Sequence, residues 1–143
     1  MKILNKAGVP ATTVEPATSV MRAILLMQQE EVDTLFVVEK DVLLGAFSQR
    51  DVAFRVVLRR QDPETTAVRD VMTSPAITLA ANASPAEALR VMATHRVHQL
   101  PIVDEGSIKG MVTLRGILRE QTVDLKEELD SLEAYHSADG IGG

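Results

Sequence analysis

Shifted by 65 positions, the chain aligns with itself without a gap from Thr13 to Val52. The identical pairs are Thr13 and Thr78, Ser19 and Ser84, Ala23 and Ala88, Met27 and Met92, Val32 and Val97, Leu35 and Leu100, Val38 and Val103, Gly45 and Gly110, and Arg50 and Arg115. Conservative pairs such as Val14/Leu79, Ile24/Leu89, Val37/Ile102 and Ser48/Thr113 fill the intervals. A self-match of this kind limits the chain to architectures built from two similar units. Its 143 residues are the ordinary size of one domain, so the units are read as halves of a single compact body.

The order of elements can be read inside each copy. Each opens with a short threonine-and-apolar stretch, 12–14 or 77–79, followed by a turn whose serine suits a helix N-cap. In the second copy Ser84, Pro85 and Glu87 supply a cap, a first-turn proline and a capping-box acid. Ala88, Leu89, Val91 and Met92 then recur at helical spacing, and Val20, Ala23, Ile24 and Met27 repeat that face in the first copy. Two apolar runs, 35–47 and 100–112, are each broken by a charged turn and read as β-hairpins. A helix follows each hairpin from Ser48 or Thr113, the first running on to Asp62-Pro63. Each copy is therefore β-α-β-β-α, in a mixed α/β (α+β) fold.

These signals divide the chain into a first repeat at 9–60, a connection at 61–75 and a second repeat at 76–121. The connection is long for an idle loop, and Val68, Val71 and Met72 suggest that part of it packs. Beyond the repeat, Leu125, Leu129 and Leu132 fall at i, i+4 and i+7, which predicts an amphipathic helix over 122–136, ahead of a flexible glycine-rich tail at 137–143.

Composition narrows the function. Aromatic residues are only 3% of the chain, so the core is aliphatic, and Met27 and Met92 are read as core fillers. A net charge of −5 and a pI near 5.2 leave no overall basic field for a phosphate backbone or an anionic bilayer, so nucleic acid and membrane are not expected partners. The absence of cysteine excludes thiol catalysis, disulfides and cysteine-ligated metals. The first ten residues lack the apolar core of a secretory signal, and no run approaches a membrane span, so a cytoplasmic location is expected. No nucleophile-elbow or phosphate-loop motif is present, so no catalytic residues are assigned. His95 and His98 stand at i, i+3 without a third ligand nearby, and no metal site is assigned.

The strings that carry a family signature are Gly45-Ala46-Phe47-Ser48-Gln49-Arg50-Asp51, its counterpart Gly110-Met111-Val112-Thr113-Leu114-Arg115-Gly116, and His98-Gln99-Leu100-Pro101-Ile102-Val103-Asp104 before the second hairpin. Two such strings in register resemble the CBS domain, over roughly Thr12 to Glu120. The resemblance implies a stand-alone CBS pair whose copies pack about a pseudo-two-fold axis through their hairpin sheets. It also implies two clefts able to bind adenosine-containing ligands.

Within that frame Ser48, at a helix N-terminus, is a candidate phosphate contact. Asp51 is a candidate acceptor for ribose hydroxyls. The plain alternative is that Ser48 and Asp51 form only a helix capping box. Asp51 is expected to be a surface-cleft carboxylate that carries little packing. By resemblance, Thr13 or Thr78 and Gln99 line the same cleft, and His98 and Thr113 belong to the other. Arg50, Arg115, Arg22 and Arg96 are candidate phosphate partners, set against solvated helix faces. Gly116 stands where the second copy would carry its aspartate, so one competent cleft is expected, and the glutamine at 99 replaces a basic residue of some relatives.

The reading is a non-enzymatic regulatory module with no obligatory cofactor. It would sense AMP, ADP or ATP beside Asp51 and signal through altered geometry, as a homodimer, to a protein target that the sequence does not name. The competing reading is an interaction module with decayed clefts serving as a dimeric docking platform.

Overall fold

In the computed structural model the described residues are 10–120 together with Lys126, Leu129, Asp130 and Leu132. The expected helix at 122–136 and tail at 137–143 otherwise lie outside them; the four named residues are helical and exposed.

The elements follow the duplication. The first copy contains β1 (Thr13–Val14), α1 (Val20–Glu30), β2 (Thr34–Glu39), β3 (Val42–Ser48) and α2 (Gln49–Asp51), which continues as a π-helix over Val52–Val57. A short α3 (Val68–Val71) stands in the connection. The second copy contains β4 (Leu79–Ala80), α4 (Pro85–His95), β5 (Gln99–Asp104) and β6 (Ser107–Thr113), and residues 114–120 are helical. Each copy makes a three-stranded sheet, β1-β2-β3 or β4-β5-β6, with its first pair parallel and its hairpin antiparallel.

The copies agree in backbone detail as well as order. Both hairpin registers slip at the equivalent step, Val37/Val38 and Ile102/Val103. Both turns have two central residues in the left-handed region, Lys40-Asp41 and Glu105-Gly106, the conformation whose twist suits a two-residue hairpin. Ser19 and Ser84 cap α1 and α4 by accepting from the backbone N–H groups of Arg22 and Glu87. Both helices end on a left-handed residue, Glu31 and Arg96, each with φ 56°.

Each copy has its own core. In the first, Val20, Ala23, Met27, Leu35, Val37, Phe47 and Val56 pack together, and in the second Leu79, Ala88, Met92, Leu100, Ile102, Val112 and Ile117 do so. Strand alternation turns Leu35 and Val37 inward and leaves Phe36 on the other face of the sheet. Phe36, Pro101 and Met111 are nevertheless buried while belonging to neither core. They occupy the faces of their strands opposite the cores, and the two sheets meet through β3 and β6. At the turns, Leu43 N–H donates to Gly106 O at 2.9 Å and Ser107 Oγ to Asp41 O at 2.7 Å, which ties the hairpin tips together.

The connection packs on the first copy. Val68 and Val71 enter its core, and Val20 N–H and Thr66 O, and Val68 N–H and Thr18 O, are joined at 2.9 and 2.8 Å. Farther on, Ala46 and Thr73 exchange two backbone hydrogen bonds of 2.9 and 2.8 Å, so Thr73 adds a one-residue strand to the edge of β3. Gly45 permits this approach: a Cβ there would lie 2.7 Å from Thr73 O.

Candidate functional site

Strand β3 ends where α2 begins, and that junction builds the site. Ser48 is extended (φ −116°, ψ 168°) and caps α2: its Oγ accepts from Asp51 N–H at 3.3 Å, while Asp51 Oδ2 accepts from Ser48 N–H at 3.0 Å and from Ser48 Oγ at 3.2 Å. The capping box is therefore real and reciprocal. The other carboxylate oxygen, Oδ1, accepts from Thr73 Oγ1 at 2.9 Å and lies 3.6 Å from Arg55 Nε. Arg55, one turn beyond Asp51, also donates through Nη1 to Met72 O at 2.6 Å. One carboxylate thus binds the end of a strand, the start of a helix and the connection between the copies.

Asp51 is 5% exposed, the one charged or polar residue counted as buried among those described. This corrects the expectation of a lightly packed surface carboxylate. Four groups converge on it, and a buried charge is retained only when so paired.

Asp51 nevertheless forms part of a cavity wall. The cavity is about 370 Å³, within the size range of small-molecule sites. Ser48, Gln49, Arg50, Asp51, Thr73, Ala76 and Ile77 bound one side and His95–Leu100 of the second copy the other. A larger open groove of about 1440 Å³ runs between the copies and is lined by Ile24, Met27, Glu31, Asp33, Val52, Thr113, Leu114, Arg115, Leu118 and Arg119. His98 and Gln99 border both spaces, and Gln99 Nε2 reaches Asp33 Oδ1 at 3.4 Å.

The structure brings together Ser48, Arg50, Asp51, His98 and Gln99. It places Thr113 and Arg115 on the larger groove. Thr13 and Thr78 line neither space; both are exposed. Thr78 stands exposed between Ile77 and Leu79, which pack on the second core, and the segment just before β4 reaches the cavity through Thr73, Ala76 and Ile77. Thr73 and Arg55 were missed as site residues. Arg55 had a signal, its i+4 spacing from Asp51 on one helix. Thr73 had only the excess length of the connection.

The duplication exposes a charge difference. The helix exit of the first copy reads Glu30-Glu31-Val32-Asp33, and its counterpart 65 residues later reads His95-Arg96-Val97-His98. The basic version faces the Asp51 cavity, where Arg96 and Arg50 approach from opposite copies. In the second copy, Thr113 Oγ1 accepts from Gly116 N–H at 3.0 Å, which repeats the cap of Ser48, but Gly116 supplies no carboxylate. Among the described residues no group of histidine, aspartate and glutamate side chains is placed to hold a metal ion, and no helix is long and apolar enough to cross a membrane.

Replacing Asp51 by alanine removes the acceptor of three hydrogen bonds and leaves Arg55 without its counter-charge. Chemical denaturation of Asp51→Ala is expected to show a loss of about 2–3 kcal/mol. A loss below about 0.5 kcal/mol, the range of ordinary surface substitutions, would contradict the structural role given to this carboxylate.

Comparison with known proteins places this geometry. The sequence pattern of the CBS domain matches residues 5–57 and 68–122. The chain is 36% identical over 102 residues to the CBS domain-containing protein YhcV of Bacillus subtilis, a match covering 71% of this chain and 72% of that one. Its fold is similar to a putative signal-transduction protein with CBS domains from Burkholderia ambifaria (TM-score 0.75, 24% identity, 87% of this chain and 96% of that one). It is also similar to the CBS domain pair of protein MJ0100, solved in complex with 5′-methylthioadenosine and S-adenosyl-L-methionine (TM-score 0.72, 19% identity, 87% and 98%). Each matched segment contains one of the two three-stranded sheets, and the chain belongs to the CBS domain family as a tandem pair.

Proposed function

We propose that this chain is a regulatory module, not an enzyme, which binds an adenosine-containing metabolite carrying phosphate, of the AMP, ADP or ATP type, in the cleft beside Asp51. The observation that carries the reading is the composition of that cleft: a capped helix start with Ser48 and a buried carboxylate on one copy, and Arg96 with His95 and His98 on the other. The carboxylate suits sugar hydroxyls, and Arg50 and Arg96 suit phosphate oxygens. The complex of the MJ0100 domain pair holds two adenosine-containing ligands, which supports the class. The arginines are the reason to favour a phosphorylated member here.

A ligand in this cleft touches both copies, so it favours whichever relative placement of the two brings Arg96 and Asp51 to their best distances. Regulation follows only from that difference in affinity between placements, and a protein target reads the shift.

One further observation bears on assembly. Phe54, Val57 and Leu58 are 57%, 65% and 71% exposed at i, i+3 and i+4 beyond Asp51, and Leu118 is also exposed on the helix that follows the second hairpin. An apolar stripe of this kind marks an interaction face. It also favours the second reading, a docking platform whose clefts no longer bind. Under both readings we propose a homodimer with this face at its centre.

Titration calorimetry tests the ligand. Arg96→Gln is expected to weaken AMP binding about tenfold, the value of one charge-assisted hydrogen bond, and to leave adenosine binding unchanged. Equal AMP affinity in wild type and variant would contradict the phosphate assignment, and no binding of AMP, ADP, ATP or S-adenosylmethionine would transfer the case to the docking platform. Sedimentation tests the assembly: wild type is expected to run as a dimer and Phe54→Glu as a folded monomer. A wild-type monomer at tens of micromolar would refute it.

A further inference from the structure

Asp51 is already occupied. A carboxylate offers about four lone-pair sites. Three are filled, by Ser48 N–H at 3.0 Å, Ser48 Oγ at 3.2 Å and Thr73 Oγ1 at 2.9 Å, and Arg55 Nε stands 3.6 Å from the oxygen that Thr73 holds. The two neighbouring hydroxyls of a ribose, each donating once, call for two sites. One of the present donors must leave before both can be accepted.

The donors differ in how easily they leave. The Ser48 bonds are half of a reciprocal cap, and releasing them uncaps the first turn of α2. Thr73 is held to Asp51 by its hydroxyl alone, while its backbone is fixed independently by the two bonds to Ala46. Rotation about χ1 takes the hydroxyl off Asp51 without moving the chain. Thr73 also lines the cavity, so its hydroxyl and a ligand's compete in the same space.

We infer that Thr73 is an internal competitor for the sugar diol: its hydroxyl occupies the acceptor site on Asp51 that a ribose hydroxyl takes on binding, and so sets the affinity of the cleft for diol-bearing ligands. The inference rests on the adenosine-cleft reading above. It also gives occupancy a local consequence. Thr73 lies in the connection between the copies, next to Met72, whose carbonyl is held by Arg55. A ligand that displaces the Thr73 hydroxyl removes one of the ties between that connection and the first copy.

The test compares AMP with 2′,3′-dideoxy-AMP, by calorimetry, on wild type and on Thr73→Val, which keeps the side-chain shape and deletes the donor. Thr73→Ala carries the same expectation should the valine variant fail to fold. Without the competitor, AMP is expected to bind about fivefold tighter, the equivalent of one net hydrogen bond, with no change for the dideoxy compound. Thr73→Ser, which restores the hydroxyl, is expected to return AMP to the wild-type affinity. Unchanged or weaker AMP binding by the variant, with wild type binding normally, would overturn the inference and leave the ligand assignment standing. Equal tightening of AMP and the dideoxy compound would overturn it too, because the effect would then not pass through the diol. Absence of AMP binding by wild type and variants alike would overturn the inference and the ligand assignment together.

Discussion

The junction at Asp51 is the constraint on which the rest of this structure turns. Its carboxylate accepts from the last residue of β3, from the connection at Thr73, and faces Arg55 on the widened helix that follows. Because the charge is buried, each of these partners is held in place by the cost of leaving it unpaired. The connection runs along β3 at the point where Gly45 admits it, held there by the two backbone bonds between Thr73 and Ala46, and the second copy follows from it. The cleft is a by-product of the same arrangement. Its walls are the capped helix of one copy and the helix exit of the other, so its shape depends on how the copies sit together.

Duplication and divergence act on different levels of this molecule. The backbone is duplicated closely, down to the register slip in each hairpin and the left-handed residue that ends each long helix, and departs in the helix after the hairpin, which among the described residues widens to a π-helix only in the first copy. The side chains around the clefts are not. The acidic exit Glu30-Glu31-Val32-Asp33 and the basic exit His95-Arg96-Val97-His98 occupy equivalent backbone, and Asp51 is matched by Gly116. A symmetric scaffold thus presents two unlike surfaces, and the one combining carboxylate and arginines suits a phosphorylated sugar.

Most of the fold was legible in the sequence because it is written twice. Ser19 and Ser84 cap, the hairpins turn within the charged segments at Lys40-Asp41 and Glu105-Gly106, and Met27 and Met92 fill the cores, as helical and strand periodicity require. The π-helix over Val52–Val57 was not legible, because its apolar spacing is also that of an ordinary helix. The site was legible only in part. Ser48 and Asp51 stood out by local spacing, but whether that spacing meant a cap or a ligand contact was an open choice, and the geometry places the cap on the cleft wall. The burial of Asp51 depends on Thr73, 22 residues away, and no local pattern carries a contact of that range. Thr13 and Thr78 are exposed because each directly precedes a strand residue, Val14 or Leu79, that packs on a core, and a one-residue step along an extended segment reverses the direction of the side chain.

The central claim is that a phosphorylated adenosine ligand occupies the cleft between Asp51 and Arg96. Nuclear magnetic resonance of the isotopically labelled chain titrated with AMP addresses it most directly, since every backbone amide reports at once. Shifts are expected to concentrate at Ser48–Asp51, Thr73–Ile77 and His95–Leu100, with Ile24, Leu118 and Arg119 of the larger groove unaffected. Shifts confined to that groove, or none at millimolar AMP, would contradict the claim.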